Sequence, residues 1–354
     1  MKKSLRLVLT ILKWAVIILV AVEVLSFLFL TLANFFIYGS VWEGSRVNYD
    51  AYTLFQEGPR PTANNPPVSK AAKDHRTIWM FGGSTMRGST DDDAQTIPSL
   101  LAGMLNREEK PMSFTVLNFG ENSFNSLLET KYLQKLFIEN PTRPRLIIFY
   151  DGVNECVYFA QNRNAYAHHG YQRLKALIES HRRSLFGLLK PVTAALYASF
   201  TLELYGKLRQ AVIPISPDSP ELRHFVDLTV QRYDYVNAQA GFYGAKFLLF
   251  WQPILWVETC KVAPRVGAIE QNYAINQARF GAVRHNFQII YQALAARLKN
   301  KPYFVDFQNI LCARTQPVYK PDGAHLLDPG RLMVAQAMDE VLQERGLVGK
   351  GGGN

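Results

Sequence analysis

The hydrophobic positions of the chain follow two different patterns. From Trp14 to Phe36 only Glu23 is charged, whereas from about residue 76 onward short apolar runs alternate with longer segments of helical character. The first pattern is typical of a membrane-spanning helix. The second is typical of strands and helices that alternate along an α/β fold.

The alternating region predicts a parallel sheet that is covered by helices on both faces. The predicted strands are Thr77–Phe81, Phe114–Phe119, Leu146–Tyr150, Phe247–Trp251 and Tyr303–Phe307. The predicted helices are 97–106, 126–138, 268–298 and 331–344, the last with Asp328 as its N-cap and Pro329 at its first position. Continuously apolar strands between helices indicate a three-layer α/β/α sandwich with a mostly parallel, flavodoxin-like five-stranded sheet.

Residues 1–38 predict an N-terminal transmembrane signal anchor. The segment from Trp14 to Phe36 would extend about 34 Å as a helix, enough for a hydrocarbon core of about 30 Å. A cleavable signal peptide has a shorter apolar core, and no small-x-small cleavage site follows this one. Basic residues precede the segment, which predicts a single pass through the cytoplasmic membrane, with the chain after about residue 38 on the periplasmic or extracellular side.

Glu23 is the charged residue inside this apolar segment. A carboxylate in a membrane helix can mark a contact with another helix. It can also remain protonated, or reach an interface when the helix tilts. The sequence leaves all three interpretations open.

The rest of the chain is predicted as one α/β domain with additions. Residues 39–75 are predicted as a juxtamembrane linker, 76–348 as the domain, 156–240 as a helical insertion that caps the sheet, and 349–354 as a disordered tail. Basic residues recur from 171 to 190 within the insertion. This pattern fits a solvated helix face, a membrane surface or a partner contact.

Net charge and motif spacing narrow the classes of partner. The net charge of +10 favours an anionic partner or reflects a solubilising surface. No basic helix with interleaved aromatic residues and no zinc-finger spacing is present, so no nucleic acid is expected as a partner. No Cys/His cluster has metal-ligand spacing, and no metal or cofactor is expected.

The three cysteines are Cys156, Cys260 and Cys312. An external location is oxidising, which permits one disulfide and leaves one thiol over. Cys260 and Cys312 both follow predicted strands and are the preferred pair.

Small and polar residues follow four of the predicted strands. Ser84 comes after the first strand, Gly120 after the second, Asn154 after the third, and Asp322 with His325 after the fifth. The carboxyl ends of parallel strands meet at one edge of a sheet, where ligands bind. Each segment alone fits an ordinary turn, but together they predict one site.

These residue types match the needs of nucleophilic catalysis. A serine nucleophile requires a base, and the base requires a third group that orients it. Asp322 and His325 are three residues apart, so one carboxylate can hold the ring while the ring faces Ser84. The backbone N–H groups of Ser84 and Gly120 and the side-chain amide of Asn154 are predicted as oxyanion-hole donors.

In these segments the chain resembles the SGNH hydrolases, also called GDSL-type esterases. That family is named for a Ser, Gly, Asn and His in four separated blocks, and Ser84, Gly120, Asn154 and His325 follow that order. The resemblance implies that Ser84 is the nucleophile, that His325 is the base oriented by Asp322, and that the fold is the α/β sandwich predicted above.

Two positions depart from the family pattern. The first block has Gly83 where the family has Asp, and the third has Glu155 where Asp is usual. Neither belongs to the triad. The α/β-hydrolase class is excluded because Met86 replaces the glycine of its nucleophile elbow.

The resemblance implies hydrolysis of an ester through an acyl-serine intermediate. An external, anchored enzyme could act on O-acetyl groups of envelope carbohydrate or on lipid. Two alternatives remain: an O-acyltransferase that uses the same residues, and a non-catalytic envelope protein that binds or scaffolds.

Overall fold

A computed structural model describes residues 2–38, 48–67, 74–107, 112–183, 199–211 and 213–348. The chain divides into two units. The first joins Met1–Arg46 to Gly170–Ile213, and the second joins Val47–His169 to Pro214–Asn354.

The described strands are β1 (Asn48–Asp50), β2 (Leu54–Gln56), β3 (Asp74–Gly82), β4 (Met112–Asn118), β5 (Leu146–Asp151), β6 (Lys246–Trp251) and β7 (Phe304–Asp306). The described α-helices are α1 (Lys2–Tyr38), α2 (Ser84–Arg87), α3 (Ile97–Leu105), α4 (Ser126–Glu139), α5 (Val153–Asn162), α6 (Tyr171–Arg183), α7 (Phe200–Ala211), α8 (Pro220–Phe242), α9 (Pro264–Gln271), α10 (Gly281–Leu298) and α11 (Asp328–Glu344). Short 3₁₀ helices lie at Asp93–Gln95, Ala274–Asn276 and Ala278–Phe280.

The second unit is built on a five-stranded parallel sheet in the order β4-β3-β5-β6-β7. Helices flank this sheet, so the predicted α/β fold class is confirmed. Successive residues of a strand point to opposite faces. Trp79 and Phe81 therefore pack into the core on one face, and Ile78 and Met80 into the core on the other. The strands are continuously apolar because both faces are covered.

Asparagine side chains and one backbone amide cover the outer edge of β4. The Asn65 amide both donates to the carbonyl and accepts from the N–H of Val116, each at 2.8 Å. Asn106 makes the same pair of hydrogen bonds with Phe114. The N–H of Arg60 donates to the carbonyl of Asn118 at 3.0 Å. The two asparagine side chains and the Arg60 backbone amide thus occupy positions that a sixth strand would fill.

Two predicted helix boundaries are wrong. The helix predicted over 268–298 is interrupted between α9 and α10, where Asn272 and Asn276 donate to backbone carbonyls and compete with helical hydrogen bonding. Asp328 is the first residue of α11 and not its N-cap, which is Leu327. The Asp328 carboxylate instead pairs with the Arg331 guanidinium.

The segment predicted as a juxtamembrane linker contains structure of the second unit. β1 and β2 form an antiparallel hairpin, and the main-chain N–H groups of Glu57 and Gly58 donate to the carboxylate of Glu121 at 3.0 and 2.8 Å. Residues 39–47 and 68–73 of that prediction lie outside the described residues.

Residues 156–240, predicted as a helical insertion, are divided between the two units. The first of these residues belong to α5 and the last to α8, and α8 packs with β6 in the second unit. Only Gly170–Ile213 groups with the N-terminal helix. The predicted disordered tail, 349–354, lies outside the described residues.

The first unit contains α1, and within it the apolar stretch Leu5–Leu32. By length and composition this stretch is able to cross a membrane or to act as a signal sequence. Its large apolar side chains are mostly exposed within the unit, as Leu19 (70%) and Leu25 (65%) illustrate.

Candidate active site

Ser84 lies at the carboxyl edge of the sheet, where β3 ends and α2 begins. The turn is tight, because the N–H groups of Met86 and Arg87 both donate to the Gly83 carbonyl. The N–H of Ser84, at the start of the helix, has no partner within that helix. Gly83 lies directly against the Asn154 side-chain amide, so a larger residue at 83 would displace that amide from beside Ser84.

His325 contacts Ser84 from a turn that follows β7. The Ser84 Oγ lies 2.7 Å from His325 Nε2, and His325 Nδ1 lies 2.7 Å from Asp322 Oδ2. The second carboxylate oxygen of Asp322 accepts from the N–H groups of Ala324 and His325, each at 2.9 Å. Ser84 is distant in sequence from Asp322 and His325, which share one turn. The three side chains nevertheless form one continuous chain of hydrogen bonds.

The Asp322 carboxylate determines which ring nitrogen of His325 carries the proton. Because an ionised carboxylate only accepts hydrogen bonds, Nδ1–H donates to it and neutral Nε2 faces the Ser84 hydroxyl as an acceptor. Burial alone would raise the pKa of Asp322, but the hydrogen bonds from the His325 ring and from two backbone N–H groups lower it below its ordinary value. Asp322 is therefore ionised across the neutral pH range.

A loop after β6 supports the Asp322–His325 turn from behind. The N–H of Leu255 donates to the Gly323 carbonyl at 2.9 Å, and the Trp256 ring packs against Gly323. The turn is closed on itself by the Lys320 N–H, which donates to the His325 carbonyl at 2.8 Å. These contacts position the ring before any substrate binds.

Asn154 lies in the first turn of α5, directly after β5. Its side-chain amide donates one N–H to the Phe124 carbonyl at 2.5 Å. An amide nitrogen has two N–H bonds, so a second donor remains for a substrate oxygen. Glu155, the departure noted in the sequence, accepts from the N–H groups of Gly152 and Ser126 and ties the starts of α5 and α4 together.

The N–H of Gly120, predicted as an oxyanion-hole donor, has a hydrogen-bond partner within the chain. That N–H donates to the Asn118 side-chain oxygen at 2.9 Å. A Cβ at position 120 would lie 2.9 Å from the Cα of Arg87. Glycine is required here because the backbone of α2 packs against it.

Ser123 lies in the same loop as Gly120. It adopts the left-handed conformation with φ of +63°, and its carbonyl accepts from the Tyr158 hydroxyl at 3.0 Å. An unfavourable φ held in place by tertiary contacts is common in loops at functional sites. No sequence signal marks it, because serine is an ordinary turn residue.

Arg87 joins three segments beside the serine turn. Its guanidinium donates to the carbonyls of Gly58 and Gly120 and pairs with the carboxylate of Glu57 at 3.0 Å. Glu121 lies 3.6 Å from the same guanidinium and is only 1% exposed. Burial raises the pKa of Glu121 to about 7, although the N–H groups of Glu57 and Gly58 and the Arg87 charge oppose the rise.

The loops beyond β6 and β7 are held together by a disulfide and a buried ion cluster. Cys260 and Cys312, the preferred pair, form a disulfide with a Cα–Cα distance of 5.9 Å, and Cys156 is a buried free thiol. Arg314 pairs with Glu258 at 2.8 Å and with Glu270 at 2.7 Å. Within the described ranges no group of three or more His, Cys, Asp or Glu residues is arranged to hold a metal ion.

Comparisons with known proteins give only weak structural likenesses. No protein-family model matches the chain, and no curated protein matches it. Among solved structures, a member of the lipolytic protein G-D-S-L family from Veillonella parvula is 15% identical, with 75% of this chain and 98% of that chain covered and a TM-score of 0.37. Axe2, an acetylxylan esterase from Geobacillus stearothermophilus, is 12% identical, with 80% and 98% covered and a TM-score of 0.39. Likeness at this level leaves the function to be inferred from the geometry of the site.

Proposed function

We propose that the chain is an SGNH-type serine hydrolase that cleaves carboxylic esters. The observation that carries the proposal is the Ser84–His325–Asp322 chain, with 2.7 Å at each of its two side-chain hydrogen bonds. An acyl-transfer triad consists of a hydroxyl, an imidazole with the correct tautomer and an ionised carboxylate, joined in that order by hydrogen bonds.

In the proposed mechanism His325 Nε2 takes the Ser84 proton while the Ser84 oxygen attacks the ester carbonyl. Asp322 stabilises the imidazolium that forms. The resulting oxyanion is stabilised by the Ser84 N–H and by the second N–H of the Asn154 amide. His325 then protonates the leaving alcohol, and a water molecule that His325 deprotonates releases the acid from the acyl-serine.

We propose that the site acts outside the cytoplasmic membrane, with α1 as an uncleaved anchor. The length and apolar character of Leu5–Leu32 support the anchor. The Cys260–Cys312 disulfide supports an oxidising compartment. Esters accessible there include O-acetyl groups of envelope carbohydrate, which we take as the substrate class.

A small activated acetyl ester tests the proposal directly. The full chain in detergent micelles is expected to hydrolyse it, and Ser84→Ala is expected to lower kcat by about 10⁴-fold. A serine-reactive phosphonate is expected to add its mass at Ser84 in the wild type. Ser89→Ala is the matched control, because Ser89 meets Lys320 through its backbone carbonyl. Equal rates for wild type and Ser84→Ala, or an adduct elsewhere, would exclude Ser84 as the nucleophile.

A further inference from the structure

Within the first unit, the Glu23 carboxylate of α1 binds the beginning of α7. One oxygen accepts from the N–H of Phe200 at 2.6 Å. The other accepts from the Ser199 hydroxyl at 2.8 Å, the Thr201 hydroxyl at 2.7 Å and the Thr201 N–H at 3.2 Å. The carboxylate therefore caps a helix that lies more than 170 residues away in sequence.

This contact satisfies groups that a helix cannot satisfy itself. The first N–H groups of a helix have no internal partner, and the partial positive charge of the helix end attracts an anion. Two further contacts surround the carboxylate. The Thr201 hydroxyl lies 3.2 Å from the Ser26 hydroxyl, and the rings of Phe27 and Phe200 meet edge to face at 5.0 Å between centroids.

The position of Glu23 places this contact at the depth of lipid chains when α1 spans a membrane. Glu23 lies nine residues before Leu32, the end of the apolar stretch, which is about 13 Å along a helix. In hydrocarbon no water is available to pair a carboxylate or helix-end N–H groups, so each must find a partner within the protein. Glu23 and the first turn of α7 meet that requirement for each other.

α7 also presents apolar surface away from this contact. Leu202, in the first turn of α7, is 53% exposed. In the sequence that precedes α7, from Leu185 to Ser199, only Lys190 is charged.

We propose that α7 is a second membrane-embedded element, docked on α1 through Glu23, with its exposed apolar face in contact with lipid chains. The proposal rests on α1 being an uncleaved anchor. It explains why a carboxylate is retained within the apolar stretch, and it assigns α7 to the lipid bilayer as its binding partner.

A pair of cysteines tests the docking in membranes. Ser26→Cys with Thr201→Cys puts sulfur atoms where hydroxyl oxygens lie 3.2 Å apart, so mild oxidation is expected to link the two positions within one chain, as read by mass spectrometry of the joined peptides. Leu25→Cys with Thr201→Cys is the matched control, because Leu25 is 65% exposed on α1 and is expected to give at least tenfold less product. Equal yields from the two pairs would overturn the docking.

Labelling at Leu202 tests the lipid contact. In sealed membranes Leu202→Cys is expected to resist a membrane-impermeant maleimide, and a fluorophore attached there in detergent is expected to be quenched by brominated lipid chains after reconstitution. Phe242→Cys, at a position 84% exposed on α8, is expected to react readily and to escape quenching. Rapid labelling of both cysteines would place α7 in water. Protection of Leu202→Cys without lipid quenching would show that protein covers this face; either result overturns the proposal.

An N-terminal tag separates failure of the anchor from failure of this inference. Loss of the tag from the mature chain would show that α1 is a cleaved signal sequence. This result would overturn both the uncleaved anchor and the α7 docking. A retained tag without the 26–201 link would overturn the α7 docking alone. Ester hydrolysis by Ser84 is measured separately and depends on neither result.

Discussion

The residues of the site differ in how local their geometry is. Asp322 and His325 share one turn, so a spacing of three residues was enough to predict that a carboxylate would orient the ring. The role of Gly120 stays a prediction; the partner of its N–H is the side chain of Asn118, and its close neighbour is the backbone of Arg87, 33 residues earlier. Sequence spacing carries no information about a contact of that kind.

Asn154 gives a prediction at this scale. If its amide binds the oxyanion, Asn154→Ala is expected to lower kcat by about 10²–10³-fold with little change in KM, because the interaction strengthens only in the transition state. Steady-state kinetics on an activated acetyl ester measure both constants.

Asn125→Ala is the matched control for this variant. The Asn125 amide also donates to a backbone carbonyl, that of Ala167 at 3.0 Å, and the residue is 5% exposed. Its loss is expected to reduce stability while kcat stays within about twofold of wild type. If the two variants lost kcat to the same extent, Asn154 would have only a structural role.

At the scale of elements, the strands of the main sheet were predictable and the segments around it were not. A strand that is buried on both faces must be apolar along its whole length, so β3 to β7 stand out in the sequence. The 48–67 segment carries few apolar residues and is held by hydrogen bonds to Glu121, Val116 and Ser99. The sequence of a polar loop does not reveal whether the loop is surrounded by solvent or packed against the domain.

Arg314 gives a prediction for the loops that support the catalytic turn. Arg314→Met leaves the carboxylates of Glu258 and Glu270 buried without a cation, which is expected to cost about 3–5 kcal/mol of unfolding free energy. Thermal unfolding in detergent micelles would register the loss as a lower Tm.

Arg297→Met is the control for Arg314→Met. Arg297 pairs with Asp227 at 2.8 Å, but both side chains are open to solvent, so this variant is expected to change stability by less than about 1 kcal/mol. Equal shifts in Tm for the two variants would show that burial of the Arg314 cluster does not determine its contribution.

For the whole molecule, stability depends on pH through groups that no sequence pattern marks. Burial raises the pKa of Glu121 to about 7 from an ordinary value of 4.5, so between these pH values the folded state keeps a proton that the unfolded state has released. This part of the stability is present below pH 4.5 and is lost as pH rises towards 7. The loss is on the order of 3 kcal/mol.

Urea unfolding of the full chain in micelles between pH 5 and pH 8 checks this prediction. Glu121→Gln cannot ionise, so its unfolding free energy is expected to fall less steeply with pH than that of the wild type, whatever its absolute stability. If the unfolding free energies of the two proteins fell equally steeply with pH, the assignment of this pH dependence to Glu121 would be contradicted.

If α1 anchors the chain as proposed, the protected edge of β4 has a consequence for neighbouring chains on the same membrane. Chains that are confined to a membrane have a raised local concentration. At a high local concentration, exposed strand edges pair with neighbouring chains and aggregation can begin. At Phe114, Val116 and Asn118 the outward-facing backbone groups are already paired within the chain. These pairings therefore hinder intermolecular strand pairing at this edge.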